Sequence, residues 1–159
     1  MEETYYVGAL DQGTTSTRFM LFDHDGHMAA SHQLEHHQIF PKPGWVEHDP
    51  LEIWDRSCNA ISGALSHIDY RSGQLKAIGV TNQRETTVVW DPVTGQPFMN
   101  AIVWQDTRTS DMIEALAVEY GKDGFRKKTG LPLATYFAGP KMAWILENVA
   151  GVREAAAAG

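Results

Sequence analysis

The chain has 159 residues, 43% hydrophobic and 21% charged, which suffices for one domain of ordinary size with a real core. Its net charge of −7 argues against a nonspecific nucleic-acid binder, no apolar run approaches the roughly 18 residues of a membrane span, and one cysteine, Cys58, excludes an internal disulfide framework. The acidic start, Met1-Glu2-Glu3-Thr4, lacks the basic onset and apolar core of a signal peptide, so a reducing cytoplasm is the expected location. Three strands are expected first, Tyr5 to Leu10, Arg18 to Asp23 and His27 to about Gln33, with the Asp23–Gly26 turn closing the second hairpin. The stretch FPKPGWVEHDP then reads as a loop that carries Trp45 and Val46. A helix follows, with Asp49 as N-cap, Pro50 at the first position and Glu52 completing a capping box. Its apolar stripe is Trp54, Cys58, Ile61, Leu65 and Ile68, so Cys58 is expected to be a buried, inert thiol. A buried strand is expected at Ala77 to Thr81, then a break at NQRET, then strands at Thr86 to Trp90 and about Asn100 to Trp104. A second helix is expected over Thr109 to Tyr120, with Met112, Ile113, Leu116, Ala117 and Tyr120 inward and Gly121 as its stop. Short and long helices near Lys122 to Thr129 and Pro140 to Val149 complete the order. The closing REAAAAG is a strong helix former without cap or partner strand, and reads as part of a larger protein.

The chemistry concentrates at LDQGTTSTR. Gly13 permits a tight turn, and the hydroxyls of Thr14, Thr15 and Ser16 with exposed amide hydrogens suit a phosphate. Asp11 suits Mg²⁺, which takes a carboxylate, water and phosphate oxygens. A polar hairpin turn fits the same residues. His32, His36 and His37, with His24, His27 and His48 around them, invite a metal reading. Nearby prolines and glycines break any long helix and no HExxH spacing occurs, so they read as surface polar residues. Arg84 offers a donor fork and Glu85 an acceptor. By themselves these two fit an exposed ion pair, and Trp104 and Tyr136 fit core packing.

In order along the chain stand LDQGTTSTR, PKPGWVEHDP, NQRETTVVW, NAIVWQDTRT and TYFAGPKMAWILEN. Together, over nearly the whole length, they resemble the N-terminal domain of the FGGY carbohydrate kinase family, in its glycerol-phosphorylating branch. The resemblance implies an α/β, ribonuclease H-like (actin/Hsp70-type) domain with a mixed β-sheet flanked by helices, spanning 1–159 and incomplete without a C-terminal domain. It implies ATP and Mg²⁺ as cofactors, and glycerol converted to sn-glycerol 3-phosphate. Asp11 would face the metal through water, Thr14, Thr15 and Ser16 would contact the β/γ-phosphates, and Arg18 would neutralise charge there. Arg84 and Glu85 would bind adjacent hydroxyls, Trp104 would pack on the carbon face and Tyr136 would bond another hydroxyl. No catalytic base lies in this chain by the resemblance; an aspartate beyond Gly159 is expected, so these residues alone are expected to be inactive. The implied partners are the C-terminal domain and further copies of the full-length protein. Ala138 and Pro140 depart from the family pattern near Tyr136. A different polyol or sugar of the same family, or an inactive nucleotide-binding module, would fit many of the same motifs.

Some consequences are geometric. Neighbouring strand residues point to opposite faces, so Arg84 and Glu85 can serve one ligand only if NQRE lies past a strand end. Asn82 and Gln83 are expected to position that turn. Asp106, Arg108 and Thr109 are expected to start the second helix, with Asp106 a neighbour of the site. Trp45, Glu47 and His48 are read as structural, Trp144 as core and Lys141 as surface.

Overall fold

The computed structural model describes residues 4–159. In chain order the elements are β1 (Tyr6–Gln12), β2 (Ser16–Phe22), β3 (Met28–Glu35), β4 (Glu47–His48), α1 (Pro50–Ser66), β5 (Leu75–Thr81), β6 (Ala101–Ile102), α2 (Ser110–Tyr120), α3 (Arg126–Thr129), α4 (Ala138–Asn148) and α5 (Val152–Ala158). They fall into two units. One runs up to His37 and resumes from Asp49 to Gln83; the other comprises Gln38–His48 and Arg84–Gly159.

In the first unit, β1, β2 and β3 form an antiparallel meander and β5 joins β1 in parallel, giving the order β3-β2-β1-β5. Alternation along β2 sends Thr17, Phe19 and Leu21 into the interior, where Phe19 and Leu21 pack with Ala60 and Ala64 of α1. A β-carbon on Gly8 would overlap the Phe19 ring, so glycine there lets Phe19 lie across β1.

α1 starts where expected. The Asp49 carboxylate accepts the Leu51 amide at 2.8 Å and Pro50 occupies the first turn. The capping box is not closed, because Glu52 turns elsewhere: its carboxylate accepts His37 N at 3.2 Å, His37 Nδ1 at 2.9 Å and Arg56 Nη2 at 3.1 Å. The buried face also differs from the expected stripe. Ser57, Ala60 and Ala64 are buried, Ile61, Leu65 and Ile68 flank them, Trp54 is 67% exposed and Cys58 is exposed. Small residues let the helix lie close on the sheet, which displaces the bulky ones to its rim. At Gly63 any β-carbon would overlap the His32 ring.

β5 is not buried as its apolar run suggests. It ends the sheet's order with β1 as its neighbour, and Val80 is 69% exposed. Nor are all the histidines surface residues, since His36 and His48 are both buried. Burial pushes His36 below the ordinary imidazole value, against the pull of the Thr14 carbonyl and of Glu52. The unfolded chain therefore takes up this proton more readily than the folded one. Stability of the first unit is expected to rise with pH up to about 6.5 and then level off, through this group. Urea unfolding at pH 5 and pH 7 checks it: His36→Gln should flatten part of the rise, and an unchanged slope would contradict the assignment.

In the second unit the ladder is short. β4 pairs antiparallel with β6, and only isolated bridges join Ile39 to Glu47, Thr87 to Ile102 and Trp90 to Pro97. The strands expected at Thr86–Trp90 and Asn100–Trp104 are thus reduced to bridges and two residues, and part of the expected loop, Glu47–His48, is strand. Pro92 and Pro97 donate no ladder bond, which keeps the hairpin between them short. Ile102, Ile145 and Val152 form this unit's core, with Trp144 packed against it.

Arg108 organises the loop before α2. Its side chain is wholly buried; Nη2 donates to Glu47 Oε1 at 2.7 Å and to Asp106 Oδ2 at 2.8 Å, and Nε donates to Asp106 Oδ1 at 2.9 Å. The guanidinium lies 3.8 Å from the Trp45 ring centre and 4.8 Å from that of Trp144. Asp106 Oδ2 also accepts the Val46 amide at 2.7 Å. Asp106 and Arg108 therefore clamp the PGWVEH loop rather than start α2. Thr109 occupies the cap position of α2, but its side chain makes no cap hydrogen bond. Met112, Ile113, Leu116 and Ala117 of α2 are half-buried as expected, Tyr120 is exposed, and Gly121, at φ 74°, stops the helix.

Candidate functional site

The β1–β2 turn is held from behind. Gly13 N donates to Ser16 O at 2.9 Å, and the Gly13 carbonyl accepts Gln12 Nε2 and Gln83 Nε2, each at 2.9 Å. His36 Nε2–H donates to the Thr14 carbonyl at 3.0 Å and His36 N to the Thr15 carbonyl at 3.3 Å. Every carbonyl from Gly13 to Ser16 is thus drawn onto the protein itself. That removes from the turn the acceptors that would repel a phosphate. Gln83, expected to position the NQRE turn, reaches Gln12 Oε1 at 3.0 Å as well, so it braces the hairpin.

Of the expected ligands in this unit, Ser16 and Arg18 share one sheet face and are tied by Gln33. Arg18 Nε donates to Gln33 Oε1 at 2.8 Å, and Gln33 Nε2 donates to Ser16 Oγ at 3.0 Å. Asp11 stands opposite Arg18 in the ladder. With Ala9, Met20, Gly79 and Thr81 it lines a hollow of about 420 Å³. Ala9, Gly79 and Thr81 are small and leave room beside the carboxylate for a hydrated cation, and Mg²⁺ keeps several of its waters. Thr14 and Thr15 lie in the turn itself.

In the second unit, Arg84 and Glu85 form a turn past the end of β5, as two side chains serving one ligand require. Among the described residues Glu85 is the one non-glycine residue with positive φ, at 66°. Such a conformation costs energy in an ordinary residue and is held only by its surroundings. Here the Glu85 carbonyl accepts Lys141 Nζ at 3.2 Å and its carboxylate Oε2 accepts the Ala138 amide at 2.7 Å, at the start of α4. Lys141 Nζ also donates to the Tyr136 carbonyl at 2.5 Å. The Tyr136 ring meets Trp104 edge-on with centroids 5.8 Å apart. Glu85, Trp104 and Tyr136 are therefore brought together, with Arg84 exposed beside them. What Ala138 supplies is a backbone N–H, so its departure from the family pattern leaves that bond intact. Pro140 sits in the first turn of α4, where no helical bond is lost.

Lys141 is the largest departure from the sequence reading. It is fully buried, not on the surface, and burial lowers its pKa against the raising effect of Glu85 and Asp106. A signal was present: Lys141 lies three and four residues before Trp144 and Ile145, on the inner face of α4. Among the described residues the grouped candidates for a metal are Asp23, Asp25 and His27 in the β2–β3 turn, not His32, His36 and His37.

A mixed sheet carrying a glycine–hydroxyl hairpin and flanked by helices is the ribonuclease H-like architecture. The chain belongs to the FGGY family of carbohydrate kinases, whose N-terminal domain matches residues 6–158. It is 62% identical over 154 residues to a glycerol kinase of Roseiflexus sp. (strain RS-1), covering 97% of this chain and 31% of that relative. Glycerol kinase 3 of Streptomyces avermitilis is 62% identical, with 97% and 30% covered. The chain thus spans under a third of the length of these curated relatives. Among solved structures, Plasmodium falciparum glycerol kinase with ADP superposes with a TM-score of 0.90 at 37% identity, covering 95% of this chain and 30% of that one. Gluconate kinase from Lactobacillus acidophilus superposes at 0.82 with 25% identity, covering 92% and 29%. No helix among the described residues is long and apolar enough to cross a membrane.

Proposed function

We propose that this chain serves an ATP:glycerol phosphotransferase, in which it supplies the phosphate hairpin and most of the glycerol pocket. The observation that carries the reading is the turn past β5, where a strained Glu85 is bonded through its carbonyl and one carboxylate oxygen while Oε1 can still accept. A small triol needs donors and acceptors close together and an apolar wall for its carbon edge. Glu85 accepts from one hydroxyl, Arg84 donates to its neighbour, Tyr136 bonds another and Trp104 covers the carbons. The hairpin has the complementary chemistry. Thr14, Thr15 and Ser16 donate to phosphate oxygens, Arg18 offsets their charge, and Asp11 would hold Mg²⁺. When bound, the cation neutralises charge on the transferred group, the main demand of phosphoryl transfer. The glycerol kinases named above support this choice of substrate. ATP as donor and the lone Cys58 fit a cytoplasmic location; a C-terminal domain completes the site in this reading, and further copies of the full-length protein are its proposed partners.

A second reading keeps the reaction and changes the acceptor, since gluconate and xylulose kinases share the fold at 25–26% identity. Steady-state kinetics on the protein at the full length of its relatives separates the two. With Mg-ATP, kcat/KM for glycerol should exceed that for erythritol, xylulose and gluconate by at least about 100-fold, because unpaired polar groups reject the wrong polyol. A preference for xylulose or gluconate would move the assignment to the second reading.

A further inference from the structure

Lys141 is a buried charge that the proposed contacts leave unexplained. It is costly where it sits. The side chain is fully buried, and it lies in the first turns of α4, where the helix dipole disfavours a cation. Methionine would fill the same space without either cost. What methionine would lack are the two bonds from Nζ, to the carbonyls of Glu85 and Tyr136. Those residues are 51 positions apart in sequence (136 − 85) and have no shared strand. One of them holds a positive φ that its own side chain does not favour. The Ala138 amide closes the same ring from the other side through the Glu85 carboxylate.

We propose that Lys141 is a positioning residue: its ammonium locks the Glu85 turn to the segment carrying Tyr136 and so sets the two side chains that meet the acceptor hydroxyls. The proposal rests on the reading of Glu85 and Tyr136 as glycerol contacts. It goes beyond that reading in giving the pocket a cationic keystone that touches no substrate. The carbonyl of a left-handed residue points away from the usual strand direction, so without a donor aimed at it the turn has no reason to stay. Glu85 and Asp106 supply negative charge that opposes the lowering of the Lys141 pKa by burial.

The test compares Lys141→Met and Lys141→Arg with the unaltered protein at the full length of its relatives. Lys141→Met is expected to raise KM for glycerol by about 10- to 100-fold, the worth of charge-assisted bonds, with KM for ATP unchanged within about 2-fold. Lys141→Arg, which restores donors, should recover part of that loss. A folded Lys141→Met protein that keeps its glycerol KM, or in which both KM values rise together, overturns the proposal. If glycerol fails to bind the unaltered protein, the substrate reading falls, and amide exchange at Ala138 decides the positioning role. Faster exchange in Lys141→Met, restored in Lys141→Arg, supports it; equal exchange in all three overturns it. Should Lys141→Met not fold, lysine ¹⁵N NMR on the unaltered protein decides. A slowly exchanging ammonium coupled to the carbonyl carbons of Glu85 and Tyr136 supports the proposal, and a fast-exchanging one overturns it.

Discussion

Replacing Arg108 by methionine is expected to cost about 3–5 kcal/mol of stability, the usual result of removing one partner from a buried ion pair. The side chains of Arg108 and Asp106 are wholly buried and that of Glu47 is 10% exposed. Without the guanidinium, the Glu47 and Asp106 carboxylates lose the cation they share, and the Trp45 and Trp144 rings, edge-on to each other with centroids 5.4 Å apart, lose the group packed on them. A domain's whole stability is about 5–15 kcal/mol, so the second unit of such a variant should be largely open well below the unfolding temperature of the unaltered chain. Urea unfolding followed by tryptophan fluorescence reads this directly, because two of the reporters flank the site. Lys42→Met is the control. Lys42 also lies over Trp45, at 4.6 Å, but it is exposed and should cost under about 0.5 kcal/mol. Equal effects of the two substitutions would show that the buried clamp is not what holds the loop.

The largest expected effect on turnover is at Glu85. Glu85→Ala removes the acceptor for the Ala138 amide and the one assigned to glycerol. Truncating one partner of a desolvated charged hydrogen bond costs about 2–5 kcal/mol. In kcat/KM for glycerol that is a fall on the order of 30- to 5000-fold, with KM for ATP little changed. Backbone strain gives the experiment a second arm. At φ 66° glycine is at ease and alanine is not, so Glu85→Gly should match or exceed Glu85→Ala in stability while losing glycerol equally. Such a pair of results would mean that the carboxylate is kept at this conformation for its chemistry. If both variants retain glycerol kinetics, the carboxylate is only a helix cap for α4.

The sequence made the first unit's strands legible to within about two residues, because alternation and the Asp23–Gly26 turn are local signals. The start of α1 was equally plain from Asp49-Pro50. The buried face of that helix was not. Hydropathy favours Trp54 and Cys58, but the approach of helix to sheet is set by Ser57, Ala60, Gly63 and Ala64, whose value lies in being small. β5 misled for a related reason: an apolar run does not say how many neighbours its strand will find. In the site, NQRE could be placed past a strand end by the alternation rule once the resemblance assigned Arg84 and Glu85 to one ligand. Lys141 and Arg108 could not be placed that way. Besides the near neighbours Tyr136 and Asp106, each has a partner at long range: Glu85 for Lys141, and Glu47 for Arg108. A lysine read without its partners defaults to the surface, and an arginine before a helix reads as part of the helix start.

The central claim divides the labour, with the β1–β2 hairpin holding phosphate and the Glu85–Tyr136 cluster holding the small polyol. Hydrogen exchange on the protein at the full length of its relatives tests that division most directly, using glycerol alone and a nonhydrolysable Mg-ATP analogue alone. Glycerol should slow exchange at residues 84–86 and 136–138 and leave 12–18 unchanged, and the nucleotide should do the reverse. Protection of the hairpin by glycerol, or of neither segment by either ligand, would contradict the account.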